Sequence, residues 1–125
     1  MVCQYDIKSD VVDFIKRRLG YSNISDDKIK ETISIHLGQG TYDEMRDKNG
    51  KIIAVIRYEI DIPFAYVIDL AIEKSFPSIY IMKRFTVRGF HRFPGLKYIS
   101  FERNLKYPLR KRRIYSIKKL LKIGE

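Results

Sequence analysis

The sequence predicts an α+β fold: a single domain, residues 1–125, with three helices and a sheet of about five to six strands. Two apolar runs, residues 51–60 and 64–72, lie next to each other and are separated by a short break at Pro63. The dipeptide Asn49-Gly50 immediately before the first run is a strong β-hairpin signal. Three other segments space their apolar residues as helices do. These patterns together indicate a sheet core with helices packed on it.

The first part of the chain predicts one strand and two helices. Residues 2–7 alternate well enough for a short strand. Ser9 is predicted as the N-cap of the first helix and Gly20 as its left-handed end. Ser25 is predicted to cap the second helix, which has an apolar stripe at four-residue intervals and ends at Gly38.

The middle of the chain predicts a three-stranded meander. A polar strand at residues 41–46 leads through the Asn-Gly turn to the strand at 51–60, and Pro63 lies in the next break. Residues 64–72 are apolar on both faces apart from Asp69, which predicts a central strand covered on both sides.

The last part predicts a helix, two strands and a basic end. The helix runs from Pro77 to Arg92 and ends at Pro94-Gly95. Its expected apolar stripe consists of Ile79, Met82, Phe85, Val87 and Phe90. Strands are predicted at residues 96–101 and 114–117, and residues 104–125 form a basic C-terminal segment.

Charge divides the chain into two parts. Residues 1–76 contain 11 Lys and Arg against 13 Asp and Glu, whereas residues 77–125 contain 14 against 2. Such a basic half attracts polyanions, which include nucleic acid, a phosphorylated cofactor and an acidic protein. Solubility alone is the alternative explanation.

Composition excludes several classes of protein. One cysteine and two histidines exclude an internal disulfide framework and argue against a zinc site, so no metal is expected. No apolar run approaches the roughly 20 residues that span a bilayer, and no signal-peptide pattern precedes the domain. The expected compartment is therefore the cytoplasm.

The order of elements resembles the GNAT-type N-acetyltransferase fold. Gly50 to Arg57 resembles the third strand of that family, Tyr66-Val-Ile-Asp-Leu-Ala-Ile72 the fourth, and Leu96-Lys-Tyr-Ile-Ser-Phe101 the strand after the cofactor helix. The closing Phe93-Pro-Gly-Leu-Lys-Tyr-Ile and Arg113-Ile-Tyr-Ser-Ile-Lys-Lys resemble small phage-encoded members. The resemblance covers about residues 2–102. It implies a mixed, mainly antiparallel, twisted sheet flanked by three helices and shortened at the C-terminus.

The resemblance also implies a cofactor site for acetyl-coenzyme A at the end of the fourth strand. Its residues in this sequence are Leu70, Ala71, Ile72, Lys74, Ser75 and Ser78. In the family a glycine-rich loop lets the backbone approach the pyrophosphate at the helix N-terminus. Residues 74–79 contain no glycine, and Pro77 removes one N–H donor. This departure favours a protein without the cofactor.

The resemblance implies a carboxylate that takes a proton from the amine and, in many members of the family, a tyrosine that protonates the leaving thiolate. The carboxylate candidates are Glu59 and Asp69, and the tyrosine candidates are Tyr107 and Tyr115. The alternatives are a strand-end Asp69 bonded to neighbouring backbone, a solvated Glu59 paired across strands, and tyrosines packed in the core with a wet hydroxyl.

The basic C-terminal segment predicts a surface for nucleic acid, because its cations alternate with aromatics. The candidate contact residues are Lys106, Arg110, Lys111, Arg112, Arg113, Lys118 and Lys119. The same cluster suits a coenzyme phosphate or an acidic protein partner.

Two functions from different classes therefore remain. The first is an N-acetyltransferase that transfers the acetyl group of acetyl-coenzyme A to an amine, in the host cytoplasm if the gene belongs to a phage. The second is a catalytically inactive GNAT-like module that binds nucleic acid or belongs to a virion. A missing last strand would expose a sheet edge and favour a homodimer or a larger assembly.

Overall fold

The computed structural model describes residues 6–101 of the chain. Within this range lie three helices and four strands of a mixed, open sheet, in the order α1 (Ser9–Leu19), α2 (Asp26–Gln39), β1 (Tyr42–Arg46), β2 (Ile52–Asp61), β3 (Phe64–Ile72), α3 (Ser78–Arg92) and β4 (Tyr98–Ser100). The strand order is β1-β2-β3-β4. The α+β class is confirmed, while the predicted strand at residues 114–117 and most of the one at 2–7 lie outside the described range.

The chain forms two compact units that share the two long strands. Unit 1 contains residues 6–57 and 69–76, and unit 2 contains residues 58–68 and 77–101. Unit 1 therefore holds α1, α2, β1, the first part of β2 and the end of β3. Unit 2 holds the remaining strand segments with α3 and β4.

The core of unit 1 forms where α1 and α2 pack on the sheet. Four residues of α1, Val11, Val12, Phe14 and Ile15, are at most 6% exposed. Ile29 and Ile33 of α2 and Val55 of β2 belong to the same cluster. The apolar helical spacing predicted for these two segments is thus confirmed.

The ends of α1 and α2 differ slightly from the prediction. α1 begins at Ser9 rather than after it, with Lys8 at the N-cap and no side-chain cap. The Val11 N–H bonds the Lys8 carbonyl at 3.2 Å, which starts the helix one residue earlier. Ser25 does cap α2, since its Oγ accepts from Lys28 N–H. Gly38 does not end α2, because Gly40 takes the left-handed conformation instead, with φ of 73°.

The hairpin between β1 and β2 is confirmed in place but differs from a tight Asn-Gly turn. Asn49 keeps negative φ, and Gly50 alone is left-handed, with φ of 83°. Gly50 N–H bonds the Asp47 carbonyl, and Asp47 N–H bonds the Lys51 carbonyl, both at 2.9 Å. These turn hydrogen bonds and the left-handed Gly50 are those of a type I turn followed by a glycine bulge. Within the ladder, the register of the antiparallel pair shifts between Met45, which lies opposite Ala54, and Arg46, which lies opposite Ile52.

Arg46 ties this hairpin to the start of α1. Its Nη1 donates to Asp10 Oδ2 at 2.7 Å and to the Gly50 carbonyl at 2.8 Å, and its Nε donates to Glu44 Oε2 at 2.8 Å. The guanidinium holds the pKa of Asp10 below its usual value.

The strand β3 is internal in the sheet, as predicted, and its two faces differ in burial. Ala65, Val67 and Ala71 are buried, while the alternate positions are half-buried. The composition of β3, which is apolar on both faces apart from Asp69, did not indicate this difference. At its start, β3 pairs in parallel with β4 from Phe64–Tyr98 to Tyr66–Ser100.

The inward face of α3 also differs from the predicted stripe. Ile81, Phe85, Thr86 and Gly89 are buried, whereas Ile79 is 62% exposed. Only Phe85 was predicted. The predicted stripe was out of phase because two small or polar residues, Thr86 and Gly89, lie on the inward face. The space at Gly89 is tight, since an added Cβ would stand 3.0 Å from Ile99 Cδ1.

Candidate ligand-binding site

Unit 1 contains a pocket of about 260 Å³ beside the core. Most of its wall is aliphatic and comes from α1, α2 and β2, with Ile15, Leu19, Ile29, Ile33, Val55 and Ile56. The polar side chains in the wall are Tyr21, Lys28, Thr32, Tyr42, Arg57 and Asp69. An apolar cavity with a few convergent polar groups is the usual form of a small-molecule site.

Asp69 stands at the centre of the polar wall and is bonded on both oxygens. Tyr21 donates its hydroxyl to Oδ1 at 2.6 Å. Arg57 donates to Oδ2 through Nε at 2.9 Å and through Nη2 as well. The side chains of Arg57 and Asp69 are only 20% and 12% exposed, so the pair is largely removed from water.

A chain of hydrogen bonds continues from Arg57 to His36. Arg57 Nη1 lies 3.2 Å from His36 Nε2, and His36 Nδ1 lies 2.7 Å from Thr41 Oγ1. Because a guanidinium can only donate, a hydrogen bond between these two atoms makes Nε2 the acceptor. We call Tyr21, His36, Thr41, Arg57 and Asp69 the Asp69 cluster.

Local sequence places these groups. Gly20, with φ of 72°, ends α1 and turns the chain so that Tyr21 follows directly after the helix. Arg57 and Asp69 lie on β2 and β3, which are neighbours in the sheet. Gly40 ends α2 so that Thr41 returns to the His36 carbonyl through its N–H, at 2.8 Å.

Burial and hydrogen bonding make Tyr21 a poor proton donor. Loss of water around the hydroxyl, together with its bond to Asp69, raises the pKa of Tyr21 to about 12. Asp69 faces the positive charge of Arg57 and accepts three hydrogen bonds. The charges of Arg57 and Asp69 therefore compensate each other in the pocket wall, and Asp69 is not a free base.

Two of the four candidate catalytic residues, Asp69 and Glu59, lie within the described residues. The alternative that Asp69 bonds neighbouring backbone was wrong, since its partners are the side chains of Tyr21 and Arg57. Glu59, the second candidate carboxylate, is an exposed residue of β2. The candidate acids Tyr107 and Tyr115 lie outside the described residues.

Two strand residues of the implied cofactor site, Ala71 and Ile72, make contacts with other parts of unit 1. Ala71 is 3% exposed and belongs to the core cluster of α1 and α2. The Ile72 carbonyl accepts two hydrogen bonds from the Arg18 guanidinium, at 2.7 and 3.1 Å. Leu70 and Ile72 are half-buried.

The loop after β3 is a closed turn. Glu73 N–H bonds the Ile53 carbonyl at 2.8 Å, and Phe76 N–H bonds the Glu73 carbonyl at 3.0 Å. Arg17 pairs with the Glu73 carboxylate and lowers its pKa. Lys74 and Ser75 are exposed on this turn.

Ser78, the last residue of the implied cofactor site, is the exposed first residue of α3, behind Pro77 at the N-cap. The nucleic-acid contact residues predicted from Lys106 to Lys119 lie outside the described residues.

Reasoning from the sequence missed Tyr21, Arg57 and His36. A signal existed for Arg57, because it is the one cation in the apolar run at residues 52–60 and Asp69 is the one acid in the adjacent run. Tyr21 and His36 lie in helix-end segments with no comparable signal.

Metal binding and membrane spanning find no support in residues 6–101. No group of three or more His, Cys, Asp or Glu side chains in that range could hold a metal ion. Over the same residues, no helix has both the length and the apolar character needed to cross a membrane.

Comparison of the chain with protein-family models, with curated proteins and with solved structures produced no match. The pocket and the Asp69 cluster must therefore be interpreted from their own chemistry.

Proposed function

We propose that the pocket of unit 1 binds a small molecule with an apolar body and an anionic head. On this proposal the protein is a ligand-binding relative of the GNAT fold and transfers acetyl groups poorly or not at all. The observation that carries it is an aliphatic pocket in which two cations, Lys28 and Arg57, face one carboxylate, Asp69.

The apolar wall supports the body of such a ligand. Burial of aliphatic surface contributes roughly 25 cal/mol per Å² of area removed from water. A cavity of about 260 Å³ accommodates a short alkyl chain or one ring. The pocket therefore selects compact ligands.

The charges of the wall support an anionic head. The negative charge of Asp69 is already compensated by Arg57. The contacts of Arg57 to Asp69 and His36 use three of its five N–H groups, and the others can bond a ligand. Lys28 is exposed at the rim and adds a second cation. A carboxylate can thus be attracted by Lys28 and bonded by Arg57, while an ammonium group would meet a net positive wall.

The same contacts oppose transfer of an acetyl group to an amine. A general base must accept a proton from the substrate, and Asp69 is committed to Arg57 and Tyr21. The raised pKa of Tyr21 also disfavours protonation of a leaving thiolate.

The order of elements nevertheless supports a GNAT-like arrangement. β3, α3 and β4 form a strand-helix-strand unit in which the two strands are parallel. Their pairing covers Phe64 to Tyr66, and β3 continues to Ile72. We therefore keep acetyl transfer to an amine as the second candidate, with acetyl-coenzyme A as its cofactor.

Calorimetric titration with matched ligands separates the two candidates. Octanoate, octanol and octylamine share the alkyl chain and differ in head-group charge. Our proposal predicts that octanoate binds most tightly and octylamine least. Tighter binding of octylamine, with acetyl-coenzyme A bound at about micromolar concentration, would establish the second candidate instead.

A charge reversal at the rim provides the internal control. Lys28→Glu should weaken octanoate binding by about tenfold, since one ligand charge contact is replaced by repulsion. Lys30→Glu makes the same change of charge on the same helix, at a residue that does not line the pocket. It should leave the affinity within about twofold.

A further inference from the structure

We propose that the outer face of α3 binds single-stranded nucleic acid. We define the outer face by Tyr80, Lys83, Arg84, Val87 and His91. Tyr80 stacks on a base, and Lys83 and Arg84 contact phosphates.

Burial identifies this face of the helix. Ile81, Phe85, Thr86 and Gly89 point inward. At 100° per residue, the outer face lies on the opposite side of α3. Tyr80, Arg84 and His91 are exposed, and Lys83 and Val87 are half-buried.

Charge on this part of the chain has one sign. Residues 77–101 contain Lys83, Arg84, Arg88, Arg92 and Lys97 and no Asp or Glu. A surface that serves solubility alone interleaves both signs. A helix with several cations and no acid in its segment instead has the electrostatic character of a phosphate-binding surface.

An exposed aromatic ring adds a feature that simple charge does not provide. Tyr80 is 50% exposed and Ile79 beside it is 62% exposed. The Arg84 guanidinium lies 5.7 Å from the centre of the Tyr80 ring, and its Nη1 donates to the Tyr80 hydroxyl at 2.9 Å. The contact holds a flat ring and a phosphate-binding cation side by side on successive turns of the helix.

This pairing favours single strands over other polyanions. A tyrosine ring stacks on any base that is already unstacked, and a duplex offers such bases only at its ends. An acidic protein or a phosphate-rich surface would use the cations and leave the ring without a role. The combination therefore selects single-stranded nucleic acid.

Fluorescence anisotropy of the full chain with a labelled oligothymidylate tests the proposal across a range of salt concentrations. Lys83→Glu/Arg84→Glu should weaken binding at least tenfold at low salt. It should also reduce the salt slope by about 1.4, because each phosphate contact contributes roughly 0.7 in single strands. Lys48→Glu/Lys51→Glu reverses the same number of charges at exposed positions of the β1–β2 turn. It should change neither the affinity nor the salt slope by more than about a third.

Variants of Tyr80 test the stacking contact separately from charge. Tyr80→Ala should weaken binding about fivefold or more with an unchanged salt slope, and Tyr80→Phe should bind within about twofold of the parent. All variants retain the basic C-terminal segment, so its contribution cancels in each comparison. Equal losses from the two charge reversals would overturn the proposal. An unaffected Tyr80→Ala variant, or a duplex bound as tightly as the single strand, would also overturn it.

Discussion

Replacement of Arg57 by Met is expected to destabilise the protein more than any change at a surface ion pair. The substitution removes the cation that compensates Asp69 but keeps a side chain of similar length. Asp69, only 12% exposed, is then left with the Tyr21 hydroxyl as its remaining bond within the cluster. Breaking a fully buried pair costs roughly 3–5 kcal/mol. Because Arg57 itself is 20% exposed, we expect about 3 kcal/mol, the lower end of that range.

A double-mutant cycle isolates the pair from other effects of the substitution. Asp69→Asn removes the charge but retains an oxygen for Tyr21, and it should cost about 2 kcal/mol because Arg57 is then uncompensated. The double variant Arg57→Met/Asp69→Asn should also cost about 2 kcal/mol, not the sum of the two losses. The coupling is therefore expected near 3 kcal/mol, at the upper end of values for contacting residues.

Urea unfolding at neutral pH, followed by circular dichroism, measures all four members of the cycle. Arg17→Met is the matched control, because it breaks the exposed Arg17–Glu73 pair and should have a much smaller effect. Losses that add within about 0.5 kcal/mol would show that Arg57 and Asp69 do not act as a unit. That result would refute the description of the Asp69 cluster.

Three further predictions concern titration and packing. The pKa of Tyr21 is raised in the folded state to about 12. The stability that Tyr21 contributes to the folded state is therefore fully present below pH ~10 and is lost as the pH rises toward 12. The stability advantage of the parent over Tyr21→Phe should shrink over that interval in urea midpoints; a constant difference would contradict the assignment. Gly38→Ala should raise stability by about 0.5 kcal/mol, since its Cβ meets open space. Gly89→Ala should leave stability unchanged or lower it by up to about 2 kcal/mol, because the added Cβ would lie 3.0 Å from Ile99 Cδ1. Equal gains in stability for Gly38→Ala and Gly89→Ala in thermal melts would contradict the packing of α3. In the same melts, Ile81→Ala should lower the free energy of unfolding by about 3 kcal/mol and Ile79→Ala by less than about 0.5 kcal/mol. The reverse order would support the stripe predicted from sequence.

Much of the secondary structure followed from local signals in the sequence. Ser25 and Gly20 act through their own backbone and side-chain chemistry, so their positions in the fold could be assigned without knowledge of the core. The hairpin at Asn49-Gly50 was predictable for the same reason.

The errors occurred where tertiary packing decides. Composition alone did not show which face of α3 is inward, because Gly89 and Thr86 are buried while Ile79 is exposed. β3 consists almost entirely of apolar residues, and only its alternating burial shows that its two faces differ.

The candidate site was only partly accessible from sequence. Asp69 was identified as a lone carboxylate in an apolar strand, but its meaning changed when Arg57 and Tyr21 were found bonded to it. A lone cation in one strand, Arg57, beside a lone acid in the adjacent strand, Asp69, is a signal for such a pair. The pocket itself depends on how α1 and α2 pack on the sheet, and sequence periodicity does not determine that spacing.

The most direct test of the central claim is amide NMR of the isotope-labelled protein during titration with octanoate. We predict saturable shifts confined to the pocket, with Tyr21, Ile29, Val55 and Arg57 among the residues that move most. Octylamine at the same concentrations should leave these resonances in place. Octanoate shifts that avoid the pocket, or equal responses to the two ligands, would contradict the account.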